Sequence, residues 1–282
     1  MQIMNRYVFA LSLLTGFSLT AVAQIKLPSA SPSATVSQQI GLGTVTVEYA
    51  RPSLKGRTMF GDQVPYGKVW RAGANKITNL ILTDELMVDG QTLPAGRYGL
   101  YAIPTADDFT FIINKDANAW GAGTYKAEND VMRKAVKVQK SATKAEGLTF
   151  EFTDFTPTSA NLTMRWEGVS ASLPLKDDPD AKIMAQIAEQ TARPNADAGV
   201  YSAAANYYYD TNRDMKQALV WANKVVDSQK EYWTYYLRAK IAAKNGDCKA
   251  ARADSQQSME LAKKANDDAY IKNNERLMAE CR

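Results

Sequence analysis

The chain has 282 residues, with 34 Lys or Arg, 30 Asp or Glu, a formal net charge of +4 and no His. The absence of His excludes Ser-His-Asp and Cys-His catalysis, His-ligated zinc or haem, and an imidazole pH switch. Two Cys residues are too few for a thiolate zinc or iron–sulfur site, and the small net charge does not indicate a nucleic-acid binder. We therefore expect no metal, no cofactor and no nucleic-acid partner.

Residues 1–23 have the pattern of a signal peptide. Arg6 is their only charged residue, and the apolar stretch from Val8 to Leu19 is too short to span a bilayer comfortably. Ala21-Val22-Ala23 supplies the small-x-small pattern of a cleavage site. We predict cleavage after Ala23, export to the periplasm or the extracellular medium, and no membrane span in the mature chain. A membrane anchor or a buried core helix is the alternative for this segment.

Residues 24–35 contain two Pro and three Ser, which predicts a flexible leader. In residues 36–176 apolar and polar side chains alternate, as at Val45, Val47 and Tyr49, which is typical of antiparallel strands. Turn signals such as Asp89-Gly90 and Glu167-Gly168 separate about nine or ten short strands. We predict an α+β protein whose first domain is an antiparallel β-sandwich, with a barrel as second choice. Only residues 129–135 suggest a helix within it.

Residues 177–282 form the second predicted domain, because their apolar period is close to 3.6 and Ala is abundant. We predict six helices, at about 179–191, 196–210, 214–227, 231–245, 248–264 and 268–281. An N-x-D-x-K-x-A pattern starting at Asn212 recurs at Asn245, an offset close to the ~34-residue tetratricopeptide repeat. The rest of that signature is degenerate, so a tetratricopeptide-like domain and an unrelated bundle of helical hairpins both stay open. A solenoid of this type would bind a protein or peptide partner on its concave face.

Both Cys residues lie in this helical half, at the start of the fifth predicted helix and the end of the sixth. Those two ends meet in an antiparallel hairpin, and export would place the thiols in an oxidising compartment. We predict a disulfide between Cys248 and Cys281. Two buried free thiols are the alternative.

The segment from Arg51 to Lys76 has six basic residues and one acidic residue, Asp62. Guanidinium groups bind carboxylate, phosphate or sulfate ions in a bidentate way, and aromatic faces stack on sugars or rings. In the functional interpretation, the arginines and Asn75 converge on one concavity, and the candidate ligand-binding residues are Arg51, Lys55, Arg57, Tyr66, Trp70, Arg71, Asn75 and Trp120. In the structural interpretation, the aromatic residues pack inward and the arginines bind backbone carbonyls and carboxylates. Both interpretations stay open.

The same segment carries a family resemblance. The run R-P…K-G-R…F-G…V-P-Y-G…W-R-x-G-A-N, followed by Leu93-Pro94-Ala95-Gly96-Arg97-Tyr98, Ile103-Pro104, Trp120-Gly121 with Tyr125, and Trp166-Glu167, is similar to the exported bacterial family called domain of unknown function 2911. The resemblance covers roughly residues 36 to 175, and members often carry a helical, repeat-like C-terminal extension. It implies a domain boundary and the position of a site, and it implies no reaction.

From these observations we expect an exported binding or scaffolding protein of the cell envelope. Its β domain would take an anionic or glycan-like ligand, and its helical domain a protein partner. The alternative is a hydrolase that attacks envelope polysaccharide through carboxylates, although no spacing singles out a pair. The acidic candidates are Glu48, Asp62, Asp84 and Glu167. We expect binding rather than catalysis.

Overall fold

A computed structural model of the chain describes residues 27–281. The predicted signal peptide, with its cleavage site after Ala23, lies outside the described residues. The described chain forms two compact units. The β unit contains the residues up to Gln39 together with Gly43–Phe155 and Ala160–Leu175. The helical unit contains Ile40–Leu42, Thr156–Ser159 and the chain from Lys176 onward.

The strands of the described chain form one open antiparallel sheet, in the hydrogen-bonded order β1-β2-β3-β6-β7-β8-β9-β4-β5. The predicted α+β class, with antiparallel strands followed by helices, is therefore confirmed. The strands are β1 (Ser33–Ile40), β2 (Gly43–Ala50), β3 (Thr78–Leu82), β4 (Leu86–Val88), β5 (Gln91–Leu93), β6 (Gly96–Pro104), β7 (Asp108–Asn114), β8 (Asp130–Thr156) and β9 (Ser159–Lys176).

The sheet folds back on itself to enclose its core. The rings of Tyr49 on β2 and Phe150 on β8 lie 5.0 Å apart, and the Phe150 N–H donates to the Tyr49 hydroxyl. Three strands lie between β2 and β8 in the sheet order, so a flat sheet would hold them roughly 19 Å apart. The two layers implied by the sandwich prediction are thus parts of one continuous sheet. Its order has two ends, so the described strands do not close into the barrel.

The hairpin of β4 and β5 shows how the turn residues set the register. Asp89 and Gly90 both have positive φ, 49° and 81°, which is the backbone of a type I′ turn. Leu86 faces Leu93 across the hairpin, and both side chains are buried. The Asp89-Gly90 turn signal is therefore confirmed.

The local pattern is misleading at three places in the β unit. The suggested helix at 129–135 is wrong, because residues from Asp130 pair with β7 and the pairing outweighs the local helical pattern. The turn predicted at Glu167-Gly168 is not a strand end, since β9 runs through it with a left-handed Glu167 (φ 55°). Strand β1 begins at Ser33, inside the predicted leader.

The helical unit contains six described helices, in agreement with the sequence prediction. Asp214 and Asp247, which lie at equivalent positions of the repeated pattern, cap α3 and α5 by accepting backbone N–H groups. Ala218 and Ala251, the last residues of the two copies, are buried in the unit. The helices are α1 (Asp180–Thr191), α2 (Ala198–Asp210), α3 (Met215–Ser228), α4 (Tyr232–Lys244), α5 (Cys248–Ala265) and α6 (Asp268–Glu280).

A disulfide joins Cys248, the first residue of α5, to Cys281, which follows α6, and confirms that prediction. The two Cα atoms lie 5.3 Å apart, within the range that a disulfide requires. None of the helices between residues 27 and 281 is long and apolar enough to cross a membrane.

Candidate functional site

The arginines at the start of the basic segment are held by neutral groups. Arg51 donates to the Tyr49 hydroxyl (2.6 Å) and to the Thr149 hydroxyl (3.1 Å). Arg57 donates to the backbone carbonyls of Leu54 (3.0 Å) and Ser53 (2.8 Å). Within residues 27–281, no carboxylate forms a salt bridge with either guanidinium. Both side chains thus fasten their own segment to the β unit.

Three further candidates, Trp70, Tyr66 and Lys55, have different surroundings. Trp70 is buried, and its ring stacks on Trp166 at 5.8 Å. The exposed Tyr66 ring lies against Gly61, where an added Cβ would come within 2.9 Å of it. Lys55 is exposed, and its backbone N–H donates to the Glu146 carboxylate. Trp70 is therefore a core residue rather than a stacking surface.

A concavity of about 500 Å³ lies on the β unit, and the polar and aromatic part of its lining includes Glu48, Asn75, Asn79, Arg97, Asn118 and Trp120. Of the eight candidate ligand-binding residues, only Asn75 and Trp120 line it. The structure does not bring Arg51, Arg57 and Arg71 into this concavity. Its volume falls in the range of small-molecule sites.

A polar network crosses the floor of this concavity. Glu48 on β2 and Asn79 on β3 are directly opposite in the strand register. Arg97 on β6 donates through Nε to the Asn79 side-chain oxygen and forms a salt bridge with Glu48. Since the salt bridge is solvent-exposed, it adds at most about 1 kcal/mol to stability. Its main effect is to hold one cation and one anion in fixed positions facing the solvent.

The covering loop (residues 115–126) forms one wall of the concavity and is fixed to β3 and β6. The Asn79 side-chain amide donates to the Ala117 carbonyl (3.0 Å), and the Ile77 N–H donates to the Ala119 carbonyl (3.1 Å). Gly99 on β6 lets the loop backbone approach closely, since a Cβ there would lie 2.3 Å from the Asp116 carbonyl oxygen. These contacts position Trp120, whose side chain is 68% exposed.

The far end of the covering loop is fixed by a second network. The Tyr125 hydroxyl donates to the Asp130 carboxylate (2.6 Å), which also accepts from Arg133 Nε (2.7 Å) and from the Asn114 amide (2.8 Å). Burial, followed by the hydrogen bond to Asp130, raises the pKa of Tyr125 to about 12. The hydroxyl therefore stays protonated and keeps donating over the physiological pH range.

Arg71 lies next to the covering loop and outside the lining of the concavity. Its Nη1 is 3.8 Å from the position of a Cβ added at Gly121, and its half-buried side chain lines no part of the concavity. The Nε atom is buried without a hydrogen-bond partner among the described residues. Of the three candidate arginines, only Arg71 has a buried side-chain nitrogen without a hydrogen-bond partner among the described residues.

Glu48, Asn79 and Arg97 together form the floor of the concavity. The sequence alone does not identify these three residues as a group. In the sequence, Glu48 stands out only as one of several carboxylates, and Arg97 only as part of the family resemblance. The usable signal was the alternation in β2 and β3, which places Glu48 and Asn79 on the face opposite the buried Val47 and Leu80. Their partner Arg97 depends on strand order, which the pattern does not contain.

The helical unit has a smaller concavity of about 270 Å³, lined in part by Tyr209, Lys240 and Lys244. The ammonium groups of the two lysines lie 4.4 and 4.6 Å from the centre of the Tyr209 ring. Burial lowers the pKa of Lys240, although its ammonium donates to the Asn206 side chain (2.9 Å). The arrangement concentrates positive charge on an aromatic face.

Among residues 27–281, no group of three or more His, Cys, Asp or Glu is placed to hold a metal ion. No curated protein and no solved structure matches the chain significantly. A family model described as a protein of unknown function (DUF2911) matches residues 31–175, just over half of the chain. The match coincides with the β unit's strands and includes the whole concavity described above. The chain therefore belongs to this family of proteins of unknown function.

Proposed function

We propose that this protein is an exported binding or scaffolding protein of the cell envelope. Its β unit binds a glycan-like or anionic ligand in the concavity, and its helical unit binds a protein partner. The proposal for the β unit rests on the position of Trp120 beside the polar floor. The proposal that the helical unit binds a protein partner rests on its helical hairpins and on its lysine-lined concavity.

The exposure of Trp120 is the observation that carries the proposal. Its side chain is 68% exposed, whereas Trp70 and Trp166 of the same unit are 9% and 1% exposed. A flat apolar ring beside hydrogen-bonding groups matches the surface of a sugar, which has an apolar face and a rim of hydroxyls. Asn75 and the exposed Glu48–Arg97 pair below offer donors and acceptors for such a rim.

The carboxylate content of the concavity favours binding over hydrolysis. Glu48 is the one carboxylate among its lining residues, and Arg97 holds it in a salt bridge. Glycoside hydrolysis ordinarily uses two carboxyl groups, one as acid and the other as nucleophile or base. A hydrolase that uses this concavity would lack the second group within the described lining.

Export is supported by the pattern of residues 1–23 and is compatible with the Cys248–Cys281 disulfide. The intact mass of the protein recovered from the envelope fraction tests it. We expect a chain that begins at Gln24. Recovery of the protein from the cytoplasm with residues 1–23 attached contradicts export.

The ligand proposal is tested by titrating the mature protein with a panel of neutral and acidic oligosaccharides. We expect Trp120→Ala to weaken binding of any responding glycan by at least about tenfold, as is usual for a central aromatic contact. Trp233→Ala is the matched control, because Trp233 is 43% exposed and belongs to the helical unit. Equal affinity of the wild type and Trp120→Ala, or no binding across the panel, refutes the proposal. Turnover that Glu48→Gln abolishes supports the hydrolase instead.

A further inference from the structure

The surface beneath the covering loop, beside the concavity, carries a second arrangement of polar groups. Trp70 and Ala102 form an isolated antiparallel bridge in which each N–H donates to the other's carbonyl at 2.8 Å. Their chain neighbours Arg71 and Tyr101 are therefore directly opposite each other. Because side chains alternate along paired strands, both leave the sheet on the face opposite Trp70. That face is the one that the covering loop packs against.

Tyr101 belongs to a small cluster between this face and the loop. It is fully buried, with Ile77 just before β3, Ile112 on β7 and Ala119 of the loop in the same cluster. The Tyr125 ring meets it edge-on at 5.0 Å. The phenol is thus enclosed by apolar groups on several sides, and its hydroxyl is cut off from bulk water.

Two polar atoms at this place have no partner. The Tyr101 hydroxyl oxygen and the Arg71 Nε are both buried, and neither has a hydrogen bond within residues 27–281. Native proteins satisfy nearly all such atoms, because each buried orphan is costly. No described residue hydrogen-bonds either atom, so the partner of each comes from outside the described chain, as a water molecule or a bound group.

The charge of Arg71 determines what kind of group fits. No carboxylate of the described chain forms a salt bridge with Arg71, so its guanidinium is a half-buried cation without a protein counter-ion. A water molecule would satisfy the hydrogen bonds, whereas an oxyanion would also neutralise the charge. We propose that a small oxyanion binds beneath the covering loop, with the Arg71 guanidinium and the Tyr101 hydroxyl as its donors.

The charges of Asp116 and Asp130 act on the Tyr101 hydroxyl and oppose an anion there, so binding of an oxyanion depends on the Arg71 guanidinium. Both carboxylates have other partners in the fold. Asp130 is engaged by Tyr125, Arg133 and Asn114, and Asp116 accepts the Asn118 N–H at 3.0 Å. Burial, and then the charges of Asp116 and Asp130, raise the pKa of Tyr101. The phenol therefore keeps its proton, as a donor to an anion must.

This oxyanion site is distinct from the glycan concavity. Neither Arg71 nor Tyr101 lines the concavity, and the loop backbone at Asp116 rests on Gly99 beside it. The oxyanion proposal concerns a different ligand, so it does not depend on whether the concavity binds a glycan. Gly121 on the loop, next to Arg71, carries no side chain that would block approach to the guanidinium.

The test is calorimetric titration of the full mature protein with inorganic phosphate, sulfate and acetate in separate low-salt experiments. We expect saturable binding of at least one of the three, weakened about tenfold by Tyr101→Phe and about 100-fold by Arg71→Gln. Lys68→Gln is the matched control, since it removes the same charge from an exposed residue three positions earlier and leaves the affinity unchanged.

Three results overturn the assignment. The first is the absence of saturable binding for all three anions. The second is Tyr101→Phe binding as tightly as the wild type. The third is an equal loss of affinity in Lys68→Gln, which would reduce the effect to general surface charge. If Arg71→Gln does not fold, Tyr101→Phe decides the matter alone, because it removes a single buried oxygen and keeps the ring.

Discussion

Replacing Gly99 by Ala should displace the covering loop from the sheet. The added Cβ would lie 2.3 Å from the Asp116 carbonyl oxygen, about 1 Å closer than an ordinary C···O contact. A shift of that size in the loop stretches the bonds from Asn79 to Ala117 and from Ile77 to Ala119, now 3.0 and 3.1 Å, beyond hydrogen-bonding range. Each hydrogen bond contributes about 1 kcal/mol to stability, so losing both costs about 2 kcal/mol. If the loop stays in place instead, the steric overlap with the new Cβ costs a similar amount. We expect a loss of about 2 kcal/mol.

Urea unfolding and amide hydrogen exchange measure this effect. The amides of the covering loop should exchange roughly 30-fold faster in Gly99→Ala, because about 2 kcal/mol corresponds to that factor. Gly147→Ala is the matched control, since its Cβ would meet only the Arg51 side chain at an ordinary 3.5 Å. Unchanged stability and unchanged exchange in Gly99→Ala would show that the loop does not rest on the sheet at this residue.

Two further predictions concern the disulfide and the Tyr125 network. Cys281→Ser should lower the free energy of unfolding of the helical unit by about 4 kcal/mol, because the bridge spans 33 residues; equal urea midpoints for variant and wild type would contradict this. The difference between the alkaline absorbance titrations of the wild type and Tyr125→Phe isolates one of the 14 Tyr and should give a pKa near 12, which Asp130→Asn should lower, whereas a value near 10 in the wild type would refute the network. Because the folded state keeps this proton longer than the unfolded state, its contribution is complete below pH 10 and is lost as the pH rises towards 12.

The helices and most strands could be predicted because their signals are local. An apolar period near 3.6 and N-capping carboxylates at Asp214 and Asp247 define their helices within one or two residues. Asp89-Gly90 similarly fixes the register of its hairpin. The Cys248–Cys281 disulfide followed from the same reasoning, since antiparallel helices bring the two ends together.

The site was harder to predict because it depends on non-local pairing. Arg97, Asn79 and Glu48 come together through the order of β2, β3 and β6, which alternation within a single strand does not reveal. The basic segment suggested one converging site, yet Arg51 and Arg57 find neutral hydroxyl and carbonyl partners close by. Sequence shows the number of charges but not which acceptors the fold supplies.

The long strands show the same limitation. Glu167 sits where a turn was expected, but its carboxylate accepts the N–H groups of Met59 and Phe60, at 3.1 and 3.3 Å. That interaction joins residues more than a hundred positions apart and gives the left-handed backbone at Glu167 a structural reason within a continuous strand. A turn dipeptide cannot be distinguished from such a kink without the partner segment.

The measurement that most directly tests ligand binding by the β unit is a structure of the mature protein with a bound oligosaccharide from the responding panel. We predict that one sugar ring lies parallel to the Trp120 indole, with its hydroxyls within 2.7–3.2 Å of donors or acceptors on Asn75 or the Glu48–Arg97 pair. A ligand that occupies another surface and leaves Trp120 uncovered would contradict the central claim.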